Sequence, residues 1–295
     1  MHLPGRLVAI AAFAMAISSG DVSGQPLKVG SKDFTEQFIV AELYAASLEA
    51  SGIAVERKIN LGPTLVVHEA LVSGAIDLYP EYMGTALAAV MKVATDTYSP
   101  KEVYQRVKSY YEKEYKLLWL APTRLNNGYA LVVRPETAQS LNLNTLSDLA
   151  KVAGKLKLGA GPEFGDRRDG LKGMKEVYGI EFGEYRQFAA LRLRYEALMQ
   201  KQIDIANGFA TDWQIAAEKF ASLKDDKNLF PPYYLAPVVR MDTVAGNAKA
   251  VEALLKVGSL IDNPTMQELN RQVEVDKKEP RTVAAAFLKA KGVLR

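Results

Sequence analysis

The sequence predicts an α/β fold with largely parallel sheets, and three observations carry that reading. Short apolar segments alternate with helical patterns from one end to the other, as strand and helix units in succession do. Two strands, Tyr129–Val133 (YALVV) and Leu235–Val239 (LAPVV), each follow a polar or proline-rich turn and bracket about a hundred residues that repeat the same alternation, enough for a lobe of their own. The chain has 295 residues, 48% of them hydrophobic, and can bury a core of that size.

Leu27 to Gly30 reads as the first strand. Asp33-Phe34-Thr35-Glu36 forms a capping-box pattern, and the stripe Phe38, Ala41, Ala45, Leu48 carries a helix that Gly52 ends. Val55, Arg57 and Ile59 alternate as a second strand; Pro63 to Ser73 is a helix closed by Gly74; Ile76 to Tyr79 is a third strand running into a turn at Pro80. Ser99-Pro100-Lys101-Glu102 starts another helix, with proline at its first position. The middle block reads as Lys157–Ala160 strand, Gly170–Tyr178 helix, Leu191–Lys201 helix, Ile203–Phe209 strand and Thr211–Glu218 helix. After Val239 the chain is helical to its end, with a break at Asn263-Pro264.

Composition excludes several classes. Thirty-seven basic against 34 acidic residues leave a formal charge of +3 with no basic block, so neither nucleic acid nor an anionic membrane is an expected partner. No cysteine is present, which removes disulfides, thiolate metal sites and lipid attachment at a lipobox cysteine. At the N-terminus, Arg6, the apolar run Leu7–Ile17 and the small polar exit Ser18–Gly24 read as a signal peptide over residues 1–24, with a cut before Gln25. That run is too short to span a bilayer. Removing it leaves the charge at +3 and His68 as the one histidine.

Reactive constellations are missing: no dinucleotide or phosphate loop, no serine nucleophile elbow, no His-Glu-x-x-His. His68 in VVHEAL reads as a packing or surface residue, and the acidic stretches Asp225-Asp226 and Asp166–Asp169 are interleaved with basic residues, as solvated loops are. Binding, with no cofactor and no metal, is the default expectation, and an enzyme is disfavoured.

Five segments carry a positive signal: GSKDFTEQ (Gly30–Gln37), DLYPEYMGT (Asp77–Thr85), NNGYALVV (Asn126–Val133), EFGDRRDG (Glu163–Gly170), and IANGFATDWQIA with FPPYYLAPVV (Ile205–Ala216 and Phe230–Val239). In this order and spacing the chain resembles the osmoprotectant-binding components of ABC importers, the glycine betaine, carnitine and choline receptors of the OpuC and ProX-like type. The resemblance covers roughly residues 27–290. It implies a type II periplasmic-binding-protein fold of two α/β lobes joined by two crossing strands, with lobe 1 from residues 26–127 plus 234–295 and lobe 2 from 128–233. It also implies a monomer, free in the periplasm, that delivers a small quaternary-ammonium ligand to a permease and ATPase complex in the inner membrane.

A trimethylammonium group has a permanent charge, no N–H and an apolar shell, so hydrogen bonds cannot hold it. Aromatic faces can, at about 0.5–2 kcal/mol per ring. The resemblance places Tyr82, Tyr129, Phe209 and Tyr233 at cage positions, with Tyr234 an alternative to Tyr233, and Thr85 at a carboxylate-binding position. Lys32, Gln37 and Arg167 fall at polar positions facing the ligand, although the residues alone read Lys32 and Arg167 equally well as solvated loop charges. The chain departs from the family pattern at Phe209, where tyrosine is usual, and at Met83, Gly128, Arg168 and Trp213, the last a further ring that could reach the cleft. Tyr79 and the rings of Tyr104, Tyr110, Tyr111 and Tyr115 read as packing. The departures keep open a receptor of the same fold for a different cationic or zwitterionic solute, or a ligand sensor.

Overall fold

The computed structural model describes residues 25–93, 98–244 and 246–295. The expected leader, residues 1–24, lies outside the described residues. The first half contributes β1 (Leu27–Gly30), α1 (Thr35–Ala50), β2 (Val55–Lys58), α2 (Thr64–Val72), β3 (Leu78–Tyr82), the single turn α3 (Met83–Thr85), α4 (Pro100–Tyr115) and β4 (Leu117–Trp119). The middle contributes β5 (Tyr129–Val133), α5 (Pro135–Leu141), α6 (Leu146–Ala150), β6 (Lys157–Ala160), α7 (Leu171–Gly173), β7 (Glu184–Gln187), α8 (Leu191–Met199), β8 (Ile205–Phe209), α9 (Trp213–Ala217) and β9 (Ala221–Ser222). The chain closes with β10 (Leu235–Arg240), α10 (Ala248–Leu260), α11 (Asn263–Glu274) and α12 (Pro280–Ala290).

These strands form two five-stranded sheets, ordered β2-β1-β3-β10-β4 and β7-β6-β8-β5-β9. In each sheet a single strand opposes the others: β10 is antiparallel to β3 and β4, and β5 is antiparallel to β8 and β9. These are the two strands that enter a lobe from the other one, so each arrives in the reverse sense. Both sheets are covered on both faces. Leu235 and Val239 of β10 join a core with α1, α10, α11 and α12, while Ala236 and Val238 face α2 and α4. In the second sheet Leu131 and Val133 face the α6 side and Ala130 and Val132 face α8. Double burial explains why YALVV and LAPVV read as continuous apolar runs without alternation.

The segments just before β5 and β10 are the crossings. They run side by side: Leu235 N–H donates to Leu125 O at 3.0 Å, Asn127 N–H to Tyr233 O at 3.2 Å, and Asn126 pairs Tyr234 antiparallel. Asn263, at the start of α11, clamps this pair by accepting from Asn126 N–H at 2.8 Å and donating to its carbonyl at 2.9 Å.

Three local expectations change. Pro80 does not turn the chain; it lies inside β3 opposite Pro237 of β10. Neither proline can donate, so the two share a pair position where no ladder bond is needed. The capping box at the start of α1 does not form: the helix begins one residue later, with Phe34 in place of Asp33 as N-cap and without a side-chain bond, and Glu36 is buried at its second position. At α4 the box is made, with Glu102 N–H donating to Ser99 Oγ at 3.3 Å and Ser99 N–H to Glu102 Oε2 at 2.8 Å. Strands β4, β7 and β9 escaped the pattern reading: β4 is three residues long, β7 a polar edge strand (EYRQ) and β9 two residues long.

Candidate functional site

The loop after β1, the end of β3, the two crossings, the loop after β6 and the loop after β8 meet where the two lobes face each other. The expected charged and aromatic side chains come from these segments and the strand ends beside them: Lys32 after β1, Tyr82 at the end of β3, Tyr129 at the start of β5, Arg167 after β6, Phe209 at the end of β8 and Tyr233 before β10. Lys32 leaves β1 and is 4% exposed; its ammonium meets Glu81, fully buried in β3, at 2.5 Å. Glu81 also accepts from the Tyr79 hydroxyl at 3.0 Å and the Tyr82 N–H at 2.6 Å. Burial lowers the Lys32 pKa, Glu81 opposes that shift, and the Arg167 guanidinium adds to it. Gln37, buried in the first turn of α1, accepts from the Lys32 N–H at 3.3 Å, and its amide lies beside the Tyr82 hydroxyl. Thr85 closes α3 three residues after Tyr82 and is buried.

Arg167 mirrors Lys32 from the second lobe. It makes two bonds to Asp169, at 2.7 and 2.5 Å, and one to the Tyr233 hydroxyl at 3.4 Å; Tyr233 also donates to Asp169. The rings fall into two groups. Tyr129 stacks on Phe209 with centroids 5.4 Å apart and meets Tyr233 edge-on at 6.0 Å, with Phe164 at 5.0 Å and Phe230 at 5.8 Å around them. Tyr82 stacks instead on Phe34, at 6.4 Å. It belongs with Tyr233 to one buried cluster, since Leu235 pairs Tyr82 across β3 and β10. Each group presents a ring face to a protein cation: Lys32 lies over Tyr82 at 5.3 Å and Arg167 over Tyr129 at 5.3 Å.

Tyr233, not Tyr234, is the ring that turns to Tyr129; Tyr234 lines a surface hollow of about 220 Å³ with Met83, Tyr104 and Thr123. Tyr233 fits because both neighbouring residues lack a side chain. A Cβ on Gly84 would come within 2.7 Å of its ring and one on Gly128 within 3.2 Å. The departure at Gly128 thus makes room for Tyr233. Trp213 does not enter the ring groups: its indole N–H donates to Glu274 of α11 at 2.8 Å, tying the second lobe to the first. Tyr79 and Tyr111 are fully buried, and His68 packs edge-on to Tyr111 and Tyr115 with its pKa lowered by burial.

Several polar residues of this region were not singled out from sequence. Glu36 is 3% exposed and accepts from the Tyr82 hydroxyl at 2.6 Å, Asn127 Nδ2 at 2.9 Å and Asn270 Nδ2 at 3.4 Å, with Thr211 beside it. Burial raises its pKa against the pull of these donors. Asp212, buried behind Phe209, accepts from the Tyr195 hydroxyl and the Phe209 N–H, both at 2.7 Å; burial pushes its carboxyl up to about 7. Glu36, Glu81, Asn127 and Asp212 all lie inside the five segments, so position alone pointed to them, and Asn270 lies in none; Asp169, expected in a solvated loop, is instead fully buried because it pairs with Arg167. Chemically, the arrangement offers π faces and buried carboxylates to a cation and two converging basic groups to an anion. No group of acidic or histidine side chains among the described residues is arranged to hold a metal ion.

Residues 25–290 match the family described as the substrate binding domain of ABC-type glycine betaine transport systems. The chain is 36% identical over 273 residues to the ergothioneine transport permease/ergothioneine binding protein of Helicobacter pylori (strain G27), covering 92% of this chain but only 49% of that longer protein. It is 31% identical to the glycine betaine-binding protein YehZ of Escherichia coli (strain K12), over 98% of this chain and 96% of that one. A crystal structure of a glycine betaine/carnitine/choline ABC transporter superposes with a TM-score of 0.80 at 31% identity, covering 90% of this chain and 99% of the other. The chain therefore belongs to the family of substrate-binding domains of ABC-type glycine betaine transport systems.

Proposed function

We propose that this protein captures a zwitterion bearing both a trimethylammonium group and a carboxylate, in a cleft between two lobes divided at 127/128 and 233/234. The observation that carries the reading is the convergence of Lys32 from one lobe and Arg167 from the other, each over a tyrosine face. A ligand carboxylate draws both cations, together with Thr85, away from those faces, and the ligand's own cation takes the place they leave over Tyr82 and Tyr129, with Phe209 and Tyr233 beside it. Glycine betaine, carnitine and ergothioneine, named for the relatives, all carry both groups; choline lacks the carboxylate and so leaves two basic groups without their partner.

The protein is exported to the periplasm, where as a monomer it hands its ligand to a permease and ATPase complex. In keeping with this, no described helix is long and apolar enough to cross a membrane. Because only a closed cleft touches the ligand from both lobes, binding drives closure. Calorimetry with glycine betaine, carnitine, ergothioneine, choline and several amino acids tests the reading, and small-angle scattering at saturation tests closure. The zwitterions should bind more tightly than choline and compact the molecule. Preference for an amino acid without methylated nitrogen, or an unchanged radius of gyration, would sink the proposal.

A further inference from the structure

Four carboxylates are buried around the ring groups, and they differ in what neutralises them. Glu81 has Lys32 at 2.5 Å and Asp169 has Arg167 at 2.5 Å. Glu36 makes no ion pair among the described residues. Its partners are neutral and arranged to donate: the Asn127 amide to Oε1, the Asn270 amide to Oε2, and the Tyr82 phenol to Oε1 at 2.6 Å. Donors on both oxygens favour its ionised form, against burial, which raises the Glu36 pKa, so a cation arriving nearby tips the balance toward the charged carboxylate. An ionised carboxylate left without a cation at 3% exposure is costly unless charge reaches it from elsewhere.

The route by which charge could reach it is visible. The bond from Tyr82 to Glu36 is short and charge-assisted, and it draws the phenol proton toward the carboxylate. Electron density is thereby left on the ring, whose face is the one that already attracts the Lys32 ammonium at 5.3 Å. Asp212 adds a second carboxylate without a basic partner at bonding distance, set behind Phe209 in the other lobe and near enough to Glu36 that each disfavours the other's charge. The site as a whole thus holds two buried carboxylates without an ion-pair partner beneath aromatic faces, both with their pKa raised by burial.

We propose that Glu36 is the counter-charge of the ligand's cation, acting through Tyr82. It is a positioning and polarising residue, not a contact: the phenol stands between it and the ligand. This inference rests on the reading of the site as a trimethylammonium site, and deepens it by assigning the charge that selects an ammonium over an uncharged group of the same shape.

The test compares glycine betaine with 3,3-dimethylbutanoate, its isostere in which a carbon replaces the charged nitrogen, by displacement titration so that weak binding is read. In the parent, betaine is preferred. In Glu36→Gln the affinity for betaine falls on the order of tenfold while that for the isostere is unchanged, so the preference shrinks by the same factor. Tyr82→Phe keeps the ring and removes the bond to Glu36; it shrinks the preference several-fold, and it decides the matter if Glu36→Gln does not unfold cooperatively. Equal weakening of both ligands in the variants means that Glu36 only holds the fold together, and overturns the proposal, as does an unchanged preference. Should the parent bind no trimethylammonium compound at all, the reading of the site fails first, and the counter-charge role with it.

Discussion

Truncating Tyr129 to alanine separates binding from packing. Its ring sits 5.4 Å from Phe209, 5.0 Å from Phe164, 5.8 Å from Phe230 and 6.0 Å from Tyr233, with the Arg167 guanidinium 5.3 Å above it. Losing so many ring contacts destabilises the second lobe. A fully buried aromatic costs about 3–5 kcal/mol on truncation, and this half-buried one should cost about 2–4 kcal/mol. Binding loses one π face, about 0.5–2 kcal/mol, or roughly two- to thirtyfold in affinity. Tyr129→Phe keeps the face and the stack, and should lose less on both counts. Urea denaturation measures the first quantity; calorimetry of the parent's best ligand, below the onset of unfolding for all three proteins, measures the second. If Tyr129→Ala is destabilised as expected yet binds every trimethylammonium ligand as tightly as the parent, the ring is a packing residue and the cage assignment is wrong.

Two other outcomes follow from the buried charges and the leader. Glu81→Gln leaves the Lys32 ammonium buried without its carboxylate, which should destabilise the fold by about 3–5 kcal/mol at neutral pH. The Lys32 pKa is already lowered by burial and falls further once Glu81 is neutral, so the folded state holds that proton less tightly than the unfolded state. The deficit should therefore shrink as pH rises toward the ordinary lysine range, and a deficit independent of pH in denaturant melts would contradict the pairing. N-terminal sequencing of protein recovered from the periplasm should begin near Gln25; an intact Met1 there would refute the leader.

Much of the fold was legible because strands buried on both faces and capped helices leave local marks. YALVV, LAPVV and Ser99-Pro100-Lys101-Glu102 each became the element they announced. Pro80 misled because a proline can sit in a strand at a non-hydrogen-bonded pair position, and the register that places it there, opposite Pro237, is set 157 positions away in sequence. Tyr233 and Tyr234 could not be separated for a similar reason. Their difference lies in Gly84 and Gly128, two distant residues whose missing side chains admit one ring and not the other.

Glu36 shows most clearly where local reading stops. Asp33-Phe34-Thr35-Glu36 satisfies the rule for a helix start, and with no tertiary partner its glutamate would close a box as Glu102 does. The box at α4 lies at the surface, where nothing competes for that carboxylate. The helix α1 starts one residue later than the pattern predicts, with Phe34 as N-cap, so Glu36 falls at its second position and faces Tyr82, Asn127 and Asn270, three donors delivered by β3, a crossing segment and α11. A capping residue that abandons its cap exchanges about 1 kcal/mol of local stabilisation for charge-assisted bonds of roughly 1.5–3 kcal/mol each, set against the cost of burying it. That choice depends on residues up to 234 positions away, so no window around Glu36 contains it. In this chain, then, the residue that breaks its local rule marks the site, because only a site built from several distant segments supplies donors enough to draw a carboxylate inward.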